Sequence, residues 1–424
     1  MLDGLLRSAR WLKRRAKLFT MLALLALVVT QEGPPPSDLT TGVGGLIYDA
    51  RFDFVTWEIE AVWAKFTHWL LQPQRYLRES DRADVFRGYV ELMARLQNLE
   101  WQIETVYADP AVSDPDAATA EARAELERLR AEAAVRQWLA ESIIEEQVGT
   151  VLSEEGLAVL GQPFPPVGMH FTPLPYLLVV SPRERIERVY SSELEHGLAL
   201  EQRVSIEHAV DESFDVSSLV TGIGGLSAWP AMILELPNIA WVAEVTAHEW
   251  THHYLDLRPL GWSYYQSGDA RTINETTASI VGTEVGRGVV ARYYPDLLPP
   301  EVPEGEAQPA DPPAFDFNAE MRLTRVEVDR LLAEGRVEEA EAYMEARRQV
   351  FWEHGYRGLR KLNQAYFAFH GAYADEPGAA GEDPVGPTVR AFRQGCPRLR
   401  AFLARIAFIT TLEELEAALA AASD

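Results

Sequence analysis

Hydrophobic and polar positions change their pattern several times along this 424-residue chain. The first apolar feature is Leu18 to Thr30, thirteen residues without a charge, placed directly after a basic cluster. As a helix it rises only about 20 Å, against about 30 Å for the hydrocarbon core of a bilayer. That length suits the apolar part of a secretory signal. No A-x-A cleavage site follows it, and flanking residues can lengthen a span. An uncleaved anchor is therefore expected ahead of a cleaved signal, with a buried amino-terminal helix as the remaining alternative. In either membrane reading the basic side stays in the cytoplasm and the body of the chain goes outside.

Pro34, Pro35 and Pro36 then interrupt the chain. Residues 46–71 gather Phe52, Phe54, Trp57, Trp63, Phe66 and Trp69, which predicts a core helix, with a membrane-surface helix as the alternative. Asp114 and Pro115 form a helix start. The charge-laced stretch 116–147 reads as a long helix whose thin apolar stripe predicts a solvated or two-helix element without chemistry.

Strand character follows. Pro175 to Val180 is a short buried run closed by Ser181 and Pro182. Leu219 to Leu236 holds Gly222, Gly224, Gly225 and Pro230, which points to an edge strand. Asn238 caps a helix from Ile239 to about Leu257, ended by Pro259 and Gly261. Another helix is expected over Asn274 to Val290. Seven prolines and several acids make 295–313 a loop. Thr324 and Glu327 suggest a capping box, and helical patterns continue to the end.

Composition changes this picture in two ways. Lys plus Arg number 39 and Asp plus Glu 64, a net charge of −25. Six of the basic residues (Arg7, Arg10, Lys13, Arg14, Arg15, Lys17) precede residue 18, so from residue 31 on the balance is 33 against 63, or −30. Such a body repels phosphate and argues against nucleic acid as a partner. The single cysteine, Cys396, excludes an internal disulfide and a Cys-rich metal site.

The chemistry concentrates in His248-Glu249-Trp250-Thr251-His252, which reads H-E-x-x-H. At about 100° per residue, two histidines four apart share a helix face and can bind one tetrahedral zinc ion. Glu249 then sits beside the ion, placed to take a proton from water and deliver it to a leaving group. Val245, Thr246, Ala247, Tyr254 and Leu255 are uncharged, as a buried active-site helix requires. His253 is one residue out of register and reads as a packing histidine.

A third ligand is needed. Asn274-Glu275-Thr276-Thr277 supplies Glu275, 23 residues after His252, and Glu284 competes. Nine residues turn a helix by about 900°, so the two carboxylates point to opposite faces. The Glu275 face carries Ala278, Ser279, Gly282 and Gly286, small residues that allow close approach to the His248 helix. Glu275 is therefore expected as the ligand.

HEWTH followed by NETTAS resembles the gluzincin clan of zinc metallopeptidases. That resemblance implies two histidine ligands and one later glutamate, and an edge strand over the cleft that pairs with extended substrate. Gly225 to Ala231 would be that shelf. Ser279 stands where thermolysin-like members carry an aspartate, so the partner of the first histidine is open, with Glu244 as a candidate. A closer resemblance is to bacterial membrane-attached aminopeptidases with a late N-N-A…Y segment. Here it reads Asn363-Gln364-Ala365 through to Tyr373, which makes Tyr373 the first candidate for stabilising the oxyanion. Tyr264, Tyr265, Tyr366 and His370 are weaker ones, and a Cys396–His370 thiol pair has no supporting motif.

The expected fold is α+β and predominantly helical: a zincin-like catalytic core with a small sheet and the H-E-x-x-H helix, flanked by long helices. The expected division is 1–40 (basic segment, anchor or signal, Pro-rich linker), 41–160 (helical), 161–294 (catalytic core), 295–320 (Pro-rich loop) and 321–424 (helical). The expected function is membrane-attached, zinc-dependent hydrolysis of peptide or protein substrates outside the cytoplasm. One Zn2+ per chain would be held by His248, His252 and Glu275, with Glu249 as base and then acid. The rival is a membrane-anchored scaffold or binding protein whose zinc site is structural or inactive. Hydrolysis of a non-peptide amide is a third reading.

Overall fold

Two long helices carry most of the charge-laced sequence in the computed structural model, which describes residues 38–298, 315–374 and 378–423. The expected anchor, Leu18 to Thr30, lies outside the described residues. The chain divides into two compact units, Met1–Asp49 and Ala50–Asp424. In the first, α1 (Leu39–Leu46) is capped by Asp38, whose carboxylate accepts from Thr41 N at 3.2 Å. Everything below concerns the second unit, which is mainly helical with small sheets.

Helix α2 (Phe54–Leu71) corrects the expectation of a core helix. Val55, Ile59, Trp63 and Phe66 follow helical spacing and are exposed, Trp63 by 69%. Only its opposite face is inward, through Trp57 and the buried Lys65. The aromatic content was legible, but not that one face stays exposed among the described residues. Among the described residues no helix is long and apolar enough to cross a membrane.

Helix α3 (Glu79–Ala108) packs along α4 (Ala120–Leu152). Asp114 caps a single turn, Pro115–Ala118, and α4 starts only after it. The amino-terminal half of α4 is solvated and laced with surface ion pairs, as expected. Its carboxy-terminal half is not: Ile143, Ile144, Val148 and Leu152 are fully buried under the later helices. The thin stripe widens there because α4 meets a second layer on more than one side.

Two three-stranded sheets follow. One has the order β1 (Met169–Phe171), β6 (Ala231–Ile233), β5 (Gly225–Leu226), with β1 parallel and β5 antiparallel to the centre. The other has β2 (Tyr176–Pro182) between β3 (Tyr190–Leu194) and β4 (Val216–Thr221), both antiparallel to it. Leu219 to Leu236 thus contributes to three strands, and Pro230 falls in the turn between two of them. Between β3 and β4 the chain forms α5 (Leu200–Phe214).

The outer side of β1 has no strand partner. Its N–H groups at Met169 and Phe171 instead donate to Glu145 and Glu141 of α4, at 2.8 and 2.9 Å. Lys65 closes the arrangement, 2.7 Å from each carboxylate. Burial would raise the Glu141 carboxyl, but the Lys65 charge overrides it and holds it down to about 2.

Asn238 caps α6 (Ile239–Asp256), accepting from Trp241 N at 3.0 Å. Helix α7 (Gly268–Tyr293) begins at the Ser267 cap, six residues before the predicted start. The two helices form the most intimate contact in the molecule. A Cβ added to Gly282 would lie 2.9 Å from the Glu244 carbonyl and 3.2 Å from His248 Cβ.

The remaining helices are α8 (Phe317–Ala333), α9 (Val337–Glu353), α10 (Gln364–His370), α11 (Val385–Gln394), α12 (Leu399–Ile406) and α13 (Leu412–Ser423). The predicted Thr324 cap is corrected. Asp316 caps α8 a turn and more upstream, and Thr324 sits inside the helix with its hydroxyl on Glu320 O. Helix α10 lies on β2 and β4. Asn363 caps it, accepting from Tyr366 N, while its amide donates to Ser218 O of β4 at 2.9 Å.

Lys65→Met should be strongly destabilising, because it leaves two buried carboxylates without their cation. Breaking one partner of such a pair costs about 3–5 kcal/mol. A drop of that size in urea unfolding is expected, and a change below about 1 kcal/mol would show that water reaches the carboxylates.

Candidate metal centre

The helical repeat places His248 and His252 one turn apart on α6, and their Nε2 atoms converge to 3.1 Å. Helix α7 brings Glu275 across, with Oε2 3.5 Å from each nitrogen. These three residues form the group able to hold a metal ion among the described residues. The donor set fits one. Ligands about 2.0–2.1 Å from a tetrahedral ion stand about 3.4 Å apart. Glu275 Oε2 is buried and has no hydrogen-bond partner, a costly state for a carboxylate oxygen unless a cation satisfies it. Burial pulls His252 down, but the Glu275 carboxylate wins and pushes it up to about 9.

The neighbours aim these ligands. His252 Nδ1 donates to Asn274 Oδ1 at 2.7 Å, which turns Nε2 and its lone pair toward the cluster. Tyr264 donates to Glu275 Oε1 and accepts from Arg188 Nη2 at 3.0 Å. Glu284 is elsewhere, in a two-point pair with Arg393 at 2.8 and 2.7 Å. Glu244 does not serve His248; it accepts from Thr283 at 3.1 Å. That expectation is corrected because the close α6–α7 packing turns the Glu244 side chain toward α7.

Glu249 is 5% exposed, and no hydrogen bond to it is found among the described residues. Burial raises its carboxyl above the usual range, against the pull of both histidines. Beside it runs β5, the outer strand of its sheet. A Cβ on Gly225 would sit 2.8 Å from Glu249 Cδ, so any other residue there would push the Glu249 carboxylate aside. His253 ties the same segment to α6. Its Nε2 donates to Ala228 O at 2.5 Å, and burial lowers it to about 4, which keeps the ring neutral.

Tyr373, three residues beyond α10, stacks on His248 with centroids 6.2 Å apart. It lines the same cleft, a space of about 230 Å³ that also meets Arg188, Glu193, Gly225 and Glu249. Its hydroxyl has no protein hydrogen-bond partner among the described residues, and burial raises it well above the usual phenol value. Tyr265 is 79% exposed and packs on Tyr264. Tyr366 and His370 stack together at 4.2 Å beside a different cavity, and Cys396 is buried in the helical core. Sequence reasoning missed Arg188 and the orienting role of Asn274. The second was signalled by its place directly before Glu275, whereas the first had no motif around it.

Glu275→Gln should lose the metal, because a neutral amide cannot replace the only anionic ligand. Glu284→Gln should keep about one ion per chain. Metal analysis of the two purified variants decides this, and the reverse outcome would move the third ligand to the opposite face of α7.

No protein-family model, no curated protein and no solved structure matches this chain.

Proposed function

We propose that this protein is a zinc-dependent peptidase, held at a membrane by its amino-terminal segment, with the body of the chain outside the cytoplasm. The observation that carries the reading is Glu249. It is a buried carboxylate without a hydrogen-bond partner, beside a three-ligand metal cluster and facing a cleft. A purely structural metal site has no use for that group. Two histidines from one helix, a glutamate from the next and an outer strand alongside also agree with the gluzincin arrangement. The basic cluster and the apolar thirteen before Pro34 support attachment.

A zinc ion held by His248, His252 and Glu275 supplies Lewis-acid polarisation of a carbonyl and acidifies water. The chain's own groups do the rest. Glu249 takes the proton of the attacking water and carries it to the leaving nitrogen. The open edge of β5 offers backbone groups to an extended substrate, which favours a peptide over other amides. The Tyr373 hydroxyl donates to the oxygen that gains negative charge. Asn274 and Tyr264 keep the ligands from rotating.

Glu249→Gln should fold, retain its metal and lose at least about a hundredfold in turnover, because the amide keeps shape but accepts no proton. Mass-spectrometric readout of a mixed peptide library measures this. Equal cleavage by both forms removes Glu249 as the base. A zinc-loaded wild type that cleaves nothing in a broad library favours the membrane-anchored scaffold instead.

Tyr373→Phe should lower kcat by about a hundredfold with KM nearly unchanged, the pattern for a hydrogen bond made in the transition state. A loss confined to KM would make Tyr373 a substrate-binding residue only.

A further inference from the structure

The cleft contains a cation that the proposed peptide hydrolysis does not use. Arg188 lies just before β3, partly buried, and lines the same cleft as Gly225 of β5. Its one protein hydrogen bond among the described residues is from Nη2 to the Tyr264 hydroxyl. The same ring lies under the guanidinium, 5.5 Å from its carbon to the centroid. No carboxylate comes within 4 Å of it among the described residues, although Glu193 and Asp256 line the same cleft. None of its nitrogens is both sealed and unbonded, whereas Nε of the neighbouring Arg271 is, and the Arg188 side chain lines the cleft.

A partly buried guanidinium with no carboxylate in hydrogen-bonding distance gives up hydration, and here Tyr264 and the more distant Glu275 charge compensate it. Three other partly buried arginines find carboxylates: Arg360 meets Glu207, Arg183 meets Glu341 and Arg393 meets Glu284; Arg271, over the same Tyr264 ring, has none within 4 Å among the described residues. Arg188 instead holds a planar fork of donors toward an open space beside the metal cluster. The group that matches such a fork in size, charge and geometry is a carboxylate, bound by two parallel hydrogen bonds.

We propose that Arg188 is a carboxylate-recognition site, which selects substrates carrying a carboxylate close to the bond presented to the metal cluster. The carboxylate is either the carboxy terminus of a peptide or an acidic side chain. The proposal rests on the peptidase reading for its substrate class, while the carboxylate site itself does not depend on turnover. Tyr264 gives it a structural rationale. It fixes the guanidinium by accepting one donor, and its own proton is committed to Glu275.

Calorimetric titration of the zinc-loaded, full-length Glu249→Gln protein tests this without catalysis. The probes are N-acetyl-trialanine as free acid, the same peptide as amide, an N-acetyl-Ala-Glu-Ala amide, and glutarate. The free acid or the glutamate peptide should bind at least about tenfold tighter than the trialanine amide, as expected for a charge-assisted two-point contact. Whichever does so identifies the source of the carboxylate. Adding Arg188→Gln should abolish the difference with metal content unchanged, and Arg188→Lys should restore part of it. Equal binding of all three peptides overturns the proposal, and this comparison needs no Arg188 variant to fold. An advantage that survives Arg188→Gln overturns it too. Arg188-dependent binding of glutarate without binding of any peptide supports the carboxylate site and counts against the peptidase reading. Absence of binding by every probe counts against both.

Discussion

The distance between α6 and α7 is the constraint on which the rest depends. Helices with ordinary side chains between them pack with axes about 8–10 Å apart. Glutamate is short, and its carboxylate reaches two histidines on the neighbouring helix only where the backbones come unusually near. Gly282 provides that nearness: any side chain there meets the Glu244 carbonyl and the base of His248. The same approach explains the failure of Glu244 as a partner for His248. Its side chain is pressed toward α7 and bonds Thr283 rather than folding along its own helix. The third ligand and the missing histidine partner therefore have one cause.

The small sheet is finished differently at its two edges, and that difference gives the cleft its orientation. At β1 the free N–H groups are consumed by Glu141 and Glu145, with Lys65 balancing the charge. An edge satisfied in this way cannot recruit another strand. At β5 no comparable hydrogen bond is made to the outer side among the described residues, and the strand passes close to Glu249. The buried ion cluster and the candidate base therefore belong to one design. A closed edge fixes the sheet to α4, and an open edge faces the metal cluster.

Much of the site was legible because its chemistry is local. Four-residue spacing put His248 and His252 on one face, and counting turns separated Glu275 from Glu284. Caps at Asn238 and Asp114 were equally local. What failed was tertiary. The Thr324 and Glu327 pair satisfied the letter of a capping box, but Asp316 nucleated the same helix earlier, and the hydroxyl turned back to Glu320. The aromatic row of α2 looked like core, yet burial depends on a neighbour that its own sequence does not describe. The second half of α4 looked solvated because it continues a charge-laced stretch, while its buried positions lie between Ala140 and Leu152. Arg188 was invisible for a related reason. A single arginine is ordinary until the fold sets it in a cleft with no carboxylate within 4 Å among the described residues.

The two tyrosines near the metal cluster show why proximity in sequence is a poor guide to role. Tyr264 is nearer to both ligand helices along the chain, and its ring packs edge-on against His252. Its hydroxyl, however, is already spent: the proton goes to Glu275 and a lone pair goes to Arg188. A donor committed to a ligand cannot also stabilise a developing charge on a substrate. Tyr373 comes from far along the chain. It arrives because α10 is pinned to β4 by the Asn363 amide and follows directly from that cap. Its ring rests on His248, and its hydroxyl has no protein partner among the described residues. Of the two phenols only that one retains a proton to give. Under the proposed function, hydrogen-bond capacity therefore favours Tyr373 over Tyr264, and the late Asn363–Tyr373 segment brings an uncommitted donor to a site built from other elements.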